Sequence, residues 1–109
     1  MKDIYSKIGI YGIHNTVNGK IYIGKTGMNF GDRWDCHRSL LRNNKHDNSY
    51  LQHAWNKYGE NAFEFIIVEE CTVDELNDKE KYWIQYYKDQ GLAYNILDGG
   101  DGLDNLGTH

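Results

Sequence analysis

The chain has 109 residues, 39% hydrophobic and 14% aromatic, which suits one domain with a modest core rich in tyrosine and tryptophan. No apolar run approaches the roughly 20 residues of a membrane span, and the mixed polar sequence after Met1 lacks the central stretch of a signal peptide. The net charge of -4 argues against broad electrostatic binding of nucleic acid but leaves room for a local basic surface.

Lys20, Lys25, Arg33, His37, Arg38, Arg42, Lys45 and His46 all fall in the first half, whereas acidic residues concentrate after Glu60. Cys36 and Cys71 have no CxxC spacing. They fit a reduced, cytosolic setting, argue against a zinc site, and are not expected to form a disulfide.

Ile8 to Asn15 and Lys20 to Lys25 read as the strands of a hairpin turned at Asn18-Gly19. A two-residue turn would pair Val17 with Lys20 and set Tyr22 opposite Asn15. Alternation then points Tyr11 and Tyr22 to one face. Two phenols near Lys20 and Lys25 point to a polar site, although tyrosine is also an ordinary strand residue.

Residues 28–44 read as a helix with Asp32 in its first turn. A second helix over residues 49–57 places Leu51, Ala54, Trp55 and Tyr58 on one face, with Asn48 or Ser49 as cap and Gly59 as stop. Residues 63–68 read as a third strand. Thr72 and Glu75 form a capping box for a helix that runs to about Lys88 and ends at Gly91. Residues 92–97 read as a short extended segment. The glycine-rich stretch 98–109 reads as a tail or the start of a linker, beyond a domain at 1–97. The pattern is α+β: a short three-stranded antiparallel sheet flanked by helices.

In the last helix Leu76, Glu80, Trp83, Ile84 and Tyr87 share one face. A carboxylate in such a stripe is either paired in a structural salt bridge or holds a metal. Arg33 and His37 stand four apart on the first long helix. The pair suits phosphate chemistry, but in isolation a solvated basic face explains it better. Tyr94-Asn95 by itself reads as a turn.

Together these residues resemble the GIY-YIG nuclease family. Gly9-Ile10-Tyr11 and Tyr22-Ile23-Gly24 match its two name-giving motifs, Arg33 its helix arginine, His37 a histidine one turn later, Glu80 its metal-binding glutamate and Asn95 its late asparagine. Arg33-Trp34, residues 55–59 and residues 94–100 look most like the phage and intron-encoded homing branch.

The resemblance implies a DNA endonuclease that leaves 3′-hydroxyl and 5′-phosphate ends. Glu80 would hold one Mg²⁺, with Mn²⁺ as substitute. Tyr11 would act on the attacking water, its pKa lowered by Lys25, His37 and Arg33. Arg33 would brace the phosphoryl oxygens, Tyr22 and His37 would position water and phosphate, and Asn95 would hold the site together. Lys20, Lys25, Arg38, Arg42 and His46 are read as DNA contacts, with no assignment for His14 or His53.

The expected setting is the cytoplasm of a bacterial or phage-infected cell. The expected state is a monomer or weak homodimer with no membrane partner, with a C-terminal DNA-binding region lying outside this chain. The alternatives are a non-catalytic DNA- or protein-binding module on the same fold and a stand-alone restriction or repair nuclease.

Overall fold

The structure is a computed structural model and describes residues 3–95. The tail at 98–109 and the end of the extended segment lie outside these residues. The elements in chain order are β1 (Gly9–Asn15), β2 (Ile21–Thr26), α1 (Phe30–Arg42), α2 (Ser49–Tyr58), β3 (Phe63–Glu70) and α3 (Leu76–Asp89). Short single turns precede β3 and α3. The strands form one antiparallel sheet of order β2-β1-β3, giving the expected α+β architecture.

The central strand β1 is buried on both faces, and its side chains feed two cores. Tyr11 and Ile13 pack with Phe30, Trp34 and Leu41 of α1 and with Leu51, Ala54 and Trp55 of α2. On the opposite face Ile10, Ile21 and Ile23 pack with Leu76 and Ile84 of α3. Alternation along a strand produces this division.

The hairpin departs from the expected register. Gly9 pairs with Thr26, Tyr11 with Gly24 and Ile13 with Tyr22. The loop is therefore four residues, 16–19. The Asn15 side chain accepts from the Val17 N–H, and the Asn18 side chain accepts from the Lys20 N–H. These local bonds, with Thr16 N–H donating to the Ala62 carbonyl, open the turn and shift the pairing by two. A slip of two preserves the faces, so Tyr11 and Tyr22 still share a side.

The helices begin where side-chain caps place them. Asn29 Oδ1 accepts from the Asp32 N–H at 2.7 Å, so α1 starts two residues later than the sequence pattern indicates. Asn48 Oδ1 accepts from the Leu51 N–H at 2.9 Å and starts α2. The Thr72–Glu75 capping box forms, but it caps the single turn that leads into α3. β3 runs two residues beyond the expected Val68. There Glu69 is held by Trp83 Nε1 at 3.0 Å and Lys79 Nζ at 3.0 Å.

Strand β2 lies at the sheet edge, but residues 92–95 cover it. Ile21 N–H donates to the Leu92 carbonyl, and Tyr94 N–H donates to the Ile21 carbonyl. The edge thereby loses the open backbone groups that would template another strand.

Candidate active site

The first tripeptide places its residues on alternate sides of β1. Ile10 enters the α3-facing core, and Tyr11 turns toward α1 with 1% of its surface exposed. Gly9 sits at φ +148°, beside a bulge where β3 carries an extra residue opposite Ile10 and Tyr11. A Cβ there would lie 2.2 Å from the Glu69 carbonyl oxygen, so only glycine fits.

The second tripeptide mirrors the first. Ile23 is fully buried toward α3, and Tyr22 faces the site. Gly24 lies directly beneath the Tyr11 phenol. A Cβ on it would stand 2.4 Å from both Cζ and Oη of Tyr11. The motif therefore needs glycine because its partner tyrosine occupies the side-chain space.

Helix α1 supplies two groups to Tyr11. Arg33 Nε donates to Tyr11 Oη at 3.2 Å, and His37 Nε2 lies 2.5 Å from the same oxygen. His37 belongs to the buried stripe Phe30, Trp34, His37 and Leu41, which is why it points inward. Its ring meets Tyr22 edge-on, with centroids 5.6 Å apart.

Behind His37 stands His46, from the loop between α1 and α2. His37 Nδ1 and His46 Nε2 are 2.8 Å apart. The Asn48 backbone N–H donates to His46 Nδ1 at 3.0 Å. Burial lowers the pKa of both histidines, and Arg33 acts in the same direction. For His37, to which His46 adds a further lowering, the result is about 3; for His46 the nearby Asp47 acts against burial. Both rings are therefore neutral near pH 7.

These bonds determine the direction of hydrogen bonding. Because His46 Nδ1 accepts, its hydrogen is on Nε2 and is donated to His37 Nδ1. His37 then carries its hydrogen on Nε2 and donates to Tyr11 Oη. Tyr11 Oη accepts from both Arg33 and His37, and its own hydrogen is free to point at a third group.

Burial pushes the Tyr11 phenol well above the ordinary value of 10.0, Tyr22 adds to the rise, and the opposing charge and hydrogen bond of Arg33 do not offset it. The expected lowering by Lys25, His37 and Arg33 is therefore not met. His37 is neutral and contributes no charge, and burial outweighs the arginine. Arg33 stays protonated, its pKa raised first by Tyr11.

Glu80 projects from α3, on the other side of the sheet. Its side chain is 12% exposed, and its Oε1 lies 3.8 Å from Lys25 Nζ. Lys25 also hydrogen-bonds Asn77. The Glu80 charge reaches Tyr11 and contributes to the rise in its pKa. Asn95 Oδ1 accepts from the Ile23 N–H and its Nδ2 donates to the Ile23 carbonyl, both at 2.9 Å. That grip fixes edge strand β2 midway between Tyr22 and Gly24.

Tyr11, Tyr22, Arg33 and His37 thus converge, Glu80 acts electrostatically on the same phenol, and Asn95 braces the strand beneath them. The expected DNA-contacting residues are dispersed. Lys25 pairs with Glu80, Arg38 with Asp35 at 3.1 Å, and Arg42 with Glu60 at 2.5 Å. His46 is half-buried against His37. Only Lys20 of that set is exposed and lacks an ion pair among the described residues. His14 pairs with Glu64 at 2.8 Å. The position of His46 in the network is not legible from sequence spacing: it is nine residues from His37 across a loop.

Among the described residues no group of three His, Cys, Asp or Glu could enclose a metal, and Cys36 and Cys71 are free thiols. One largely buried carboxylate suits a hard cation that keeps water and takes substrate oxygens, and does not suit zinc. No described helix is long and apolar enough to cross a membrane.

Comparison with known proteins agrees with this geometry. The GIY-YIG catalytic domain family matches residues 7–95. Intron-associated endonuclease 1 of Enterobacteria phage T4 is 37% identical over 105 residues, 94% of this chain and 42% of that protein. The chain thus spans under half the length of this relative. Two solved structures of the catalytic domain of the intron homing endonuclease I-TevI superpose with TM-scores of 0.78 and 0.76 at 35% identity. They cover 86% and 84% of this chain, and 97% and 99% of the chains compared.

Proposed function

The chain belongs to the GIY-YIG family, and from that premise we propose that it is the catalytic domain of a homing-type, metal-dependent DNA endonuclease. The observation that carries the reading is Tyr11 Oη, held by Arg33 and His37 within reach of the Glu80 charge. A packing tyrosine has no need of two donors on its oxygen, one of them a fixed guanidinium.

The family's nuclease chemistry depends on a divalent metal. One Mg²⁺ on Glu80, with Mn²⁺ as substitute, would supply positive charge to the scissile phosphate and the leaving 3′ oxygen. Tyr11 turns its free hydroxyl hydrogen to the attacking water and orients it, while the His37 and Arg33 donors hold the phenol oxygen in place. Water oxygen bonds to phosphorus as the P–O3′ bond breaks; the proton lost by the attacking water passes to solvent, and the leaving O3′ takes one from solvent, giving 3′-hydroxyl and 5′-phosphate ends. Arg33 braces the charge on the phosphoryl oxygens. Tyr22 positions water and phosphate, and His46 positions His37 by fixing its tautomer. Sequence specificity would come from a DNA-binding region outside this chain, in the cytoplasm of a bacterial or phage-infected cell.

Nicking of supercoiled plasmid tests the reading. We expect cleavage with Mg²⁺ or Mn²⁺, none with EDTA, and none for Glu80→Ala, whose circular dichroism should remain native. A Glu80→Ala protein that cuts at the normal rate would remove the metal role.

A further inference from the structure

Several basic residues of this acidic chain are compensated and others are not. Lys7, Lys25, Arg38, Arg42 and Lys79 each face a carboxylate, namely Glu70, Glu80, Asp35, Glu60 and Glu69. Like Lys45 and Lys81, Lys20 and Lys57 face none among the described residues. Lys20 and Lys57 line one open groove of about 390 Å³ between the hairpin turn and α2.

Tyr50, His53, Tyr58 and Tyr94 complete much of its wall, and among the described residues no carboxylate lines it. Tyr50, His53 and Lys57 recur at spacings of three and four, so they form a stripe along α2. The stripe spans roughly 10 Å of helix axis. Tyr50 is 58% exposed and leaves its ring face accessible beside the two lysines. Lys57 Nζ lies 5.2 Å from the Tyr58 ring centre, so its charge is held over an aromatic face.

The groove adjoins the candidate active site. Lys20 lies two residues before Tyr22, just ahead of the strand that enters the site. At the other wall the α2 cap, Asn48, donates its backbone N–H to His46 and its side-chain Nδ2 to the Tyr94 carbonyl. A strand leaving Tyr22 and His46 therefore meets uncompensated positive charge and exposed rings in this direction.

We propose that this groove is a subsite for the DNA strand flanking the scissile phosphate. Lys20 and Lys57 neutralise backbone phosphates, and Tyr50 presents its ring to a base. About 10 Å of groove accommodates roughly three nucleotides at about 3.4 Å each. Charge and stacking together favour a nucleic-acid strand over a protein partner. The inference rests on the nuclease reading and deepens it by naming the surface that holds substrate.

Binding of short fluorescent single-stranded and duplex DNA, measured in EDTA, tests it separately from cleavage. Lys20→Ala/Lys57→Ala should weaken binding at least about tenfold at low salt, and should flatten the slope of log affinity against log salt by about 1.4 to 1.8, the share of two phosphate contacts. Tyr50→Ala should cost about tenfold on single strands. Lys81→Ala, on exposed α3 surface outside the groove, should change neither. Unchanged affinity and slope for the double variant would overturn the subsite, even if the wild-type protein cuts plasmid normally. Intact groove-dependent binding without metal-dependent cutting would instead overturn the nuclease reading alone.

Discussion

On one face of the sheet Tyr11 and Tyr22 meet Arg33, His37 and His46; on the other, Ile10 and Ile23 meet Leu76 and Ile84 in an apolar layer. The same two tripeptides supply both faces. The first face is polar, aromatic and charged, with buried groups whose pKa values burial shifts strongly. The second is closely packed and holds α3 where Glu80 can reach the edge strand. Each motif is thus one chemical residue, one packing residue and one glycine that makes room. Losing the packing residue should cost stability, whereas losing the chemical residue or its space should cost rate.

Gly24→Ala should break the comparison most severely. The new Cβ would collide with the Tyr11 ring, so the phenol or the strand must move. Displacement of about 1 Å can cost a hundredfold in rate. We expect at least about that loss in metal-dependent nicking, with about 1–3 kcal/mol of destabilisation in urea melts. Normal nicking by this variant would show that Tyr11 placement is not critical.

Ile23→Ala should do the opposite. Its side chain is fully buried in the apolar layer, and truncation should cost about 2–5 kcal/mol. Nicking measured well below its melting temperature should stay near wild type. A large loss of rate in protein shown to be folded would mean that the two faces are not separable.

The effect with no expected change near neutral pH concerns acid. His37 is held to about 3 in the folded protein against 6.5 when unfolded. Above pH 6.5 both states are neutral and stability is unaffected. As pH falls from 6.5 toward 3, the unfolded chain binds a proton that the fold excludes, so stability is lost by up to about 1.4 kcal/mol per pH unit. His37→Gln should flatten that part of the stability–pH curve, and His53→Gln, on the exposed surface, should not. An unchanged curve for His37→Gln would place the acid sensitivity elsewhere.

Much of this was legible in the sequence for identifiable reasons. The period-two alternation put Tyr11 and Tyr22 on one face and survived a register error of two, because an even slip keeps parity. The Leu76–Glu80–Ile84 stripe showed an inward carboxylate because helical spacing is local. What stayed hidden depends on distant partners. Arg42 pairs with Glu60, eighteen residues away, and Asn95 grips Ile23, seventy-two residues away. The Asn29 cap and the four-residue turn were missed because side-chain bonds to the backbone decide them. The Tyr11 pKa ran opposite to expectation because burial, which sequence proximity does not reveal, exceeded the effect of Arg33.

Single-turnover cleavage by Tyr11→Phe tests the central claim most directly. The substitution removes only the oxygen that Arg33 and His37 hold and leaves the buried ring in place. The account predicts a rate lower by at least about a hundredfold, with DNA affinity in EDTA unchanged within about twofold. An unchanged rate, or weakened binding with full turnover, would contradict it.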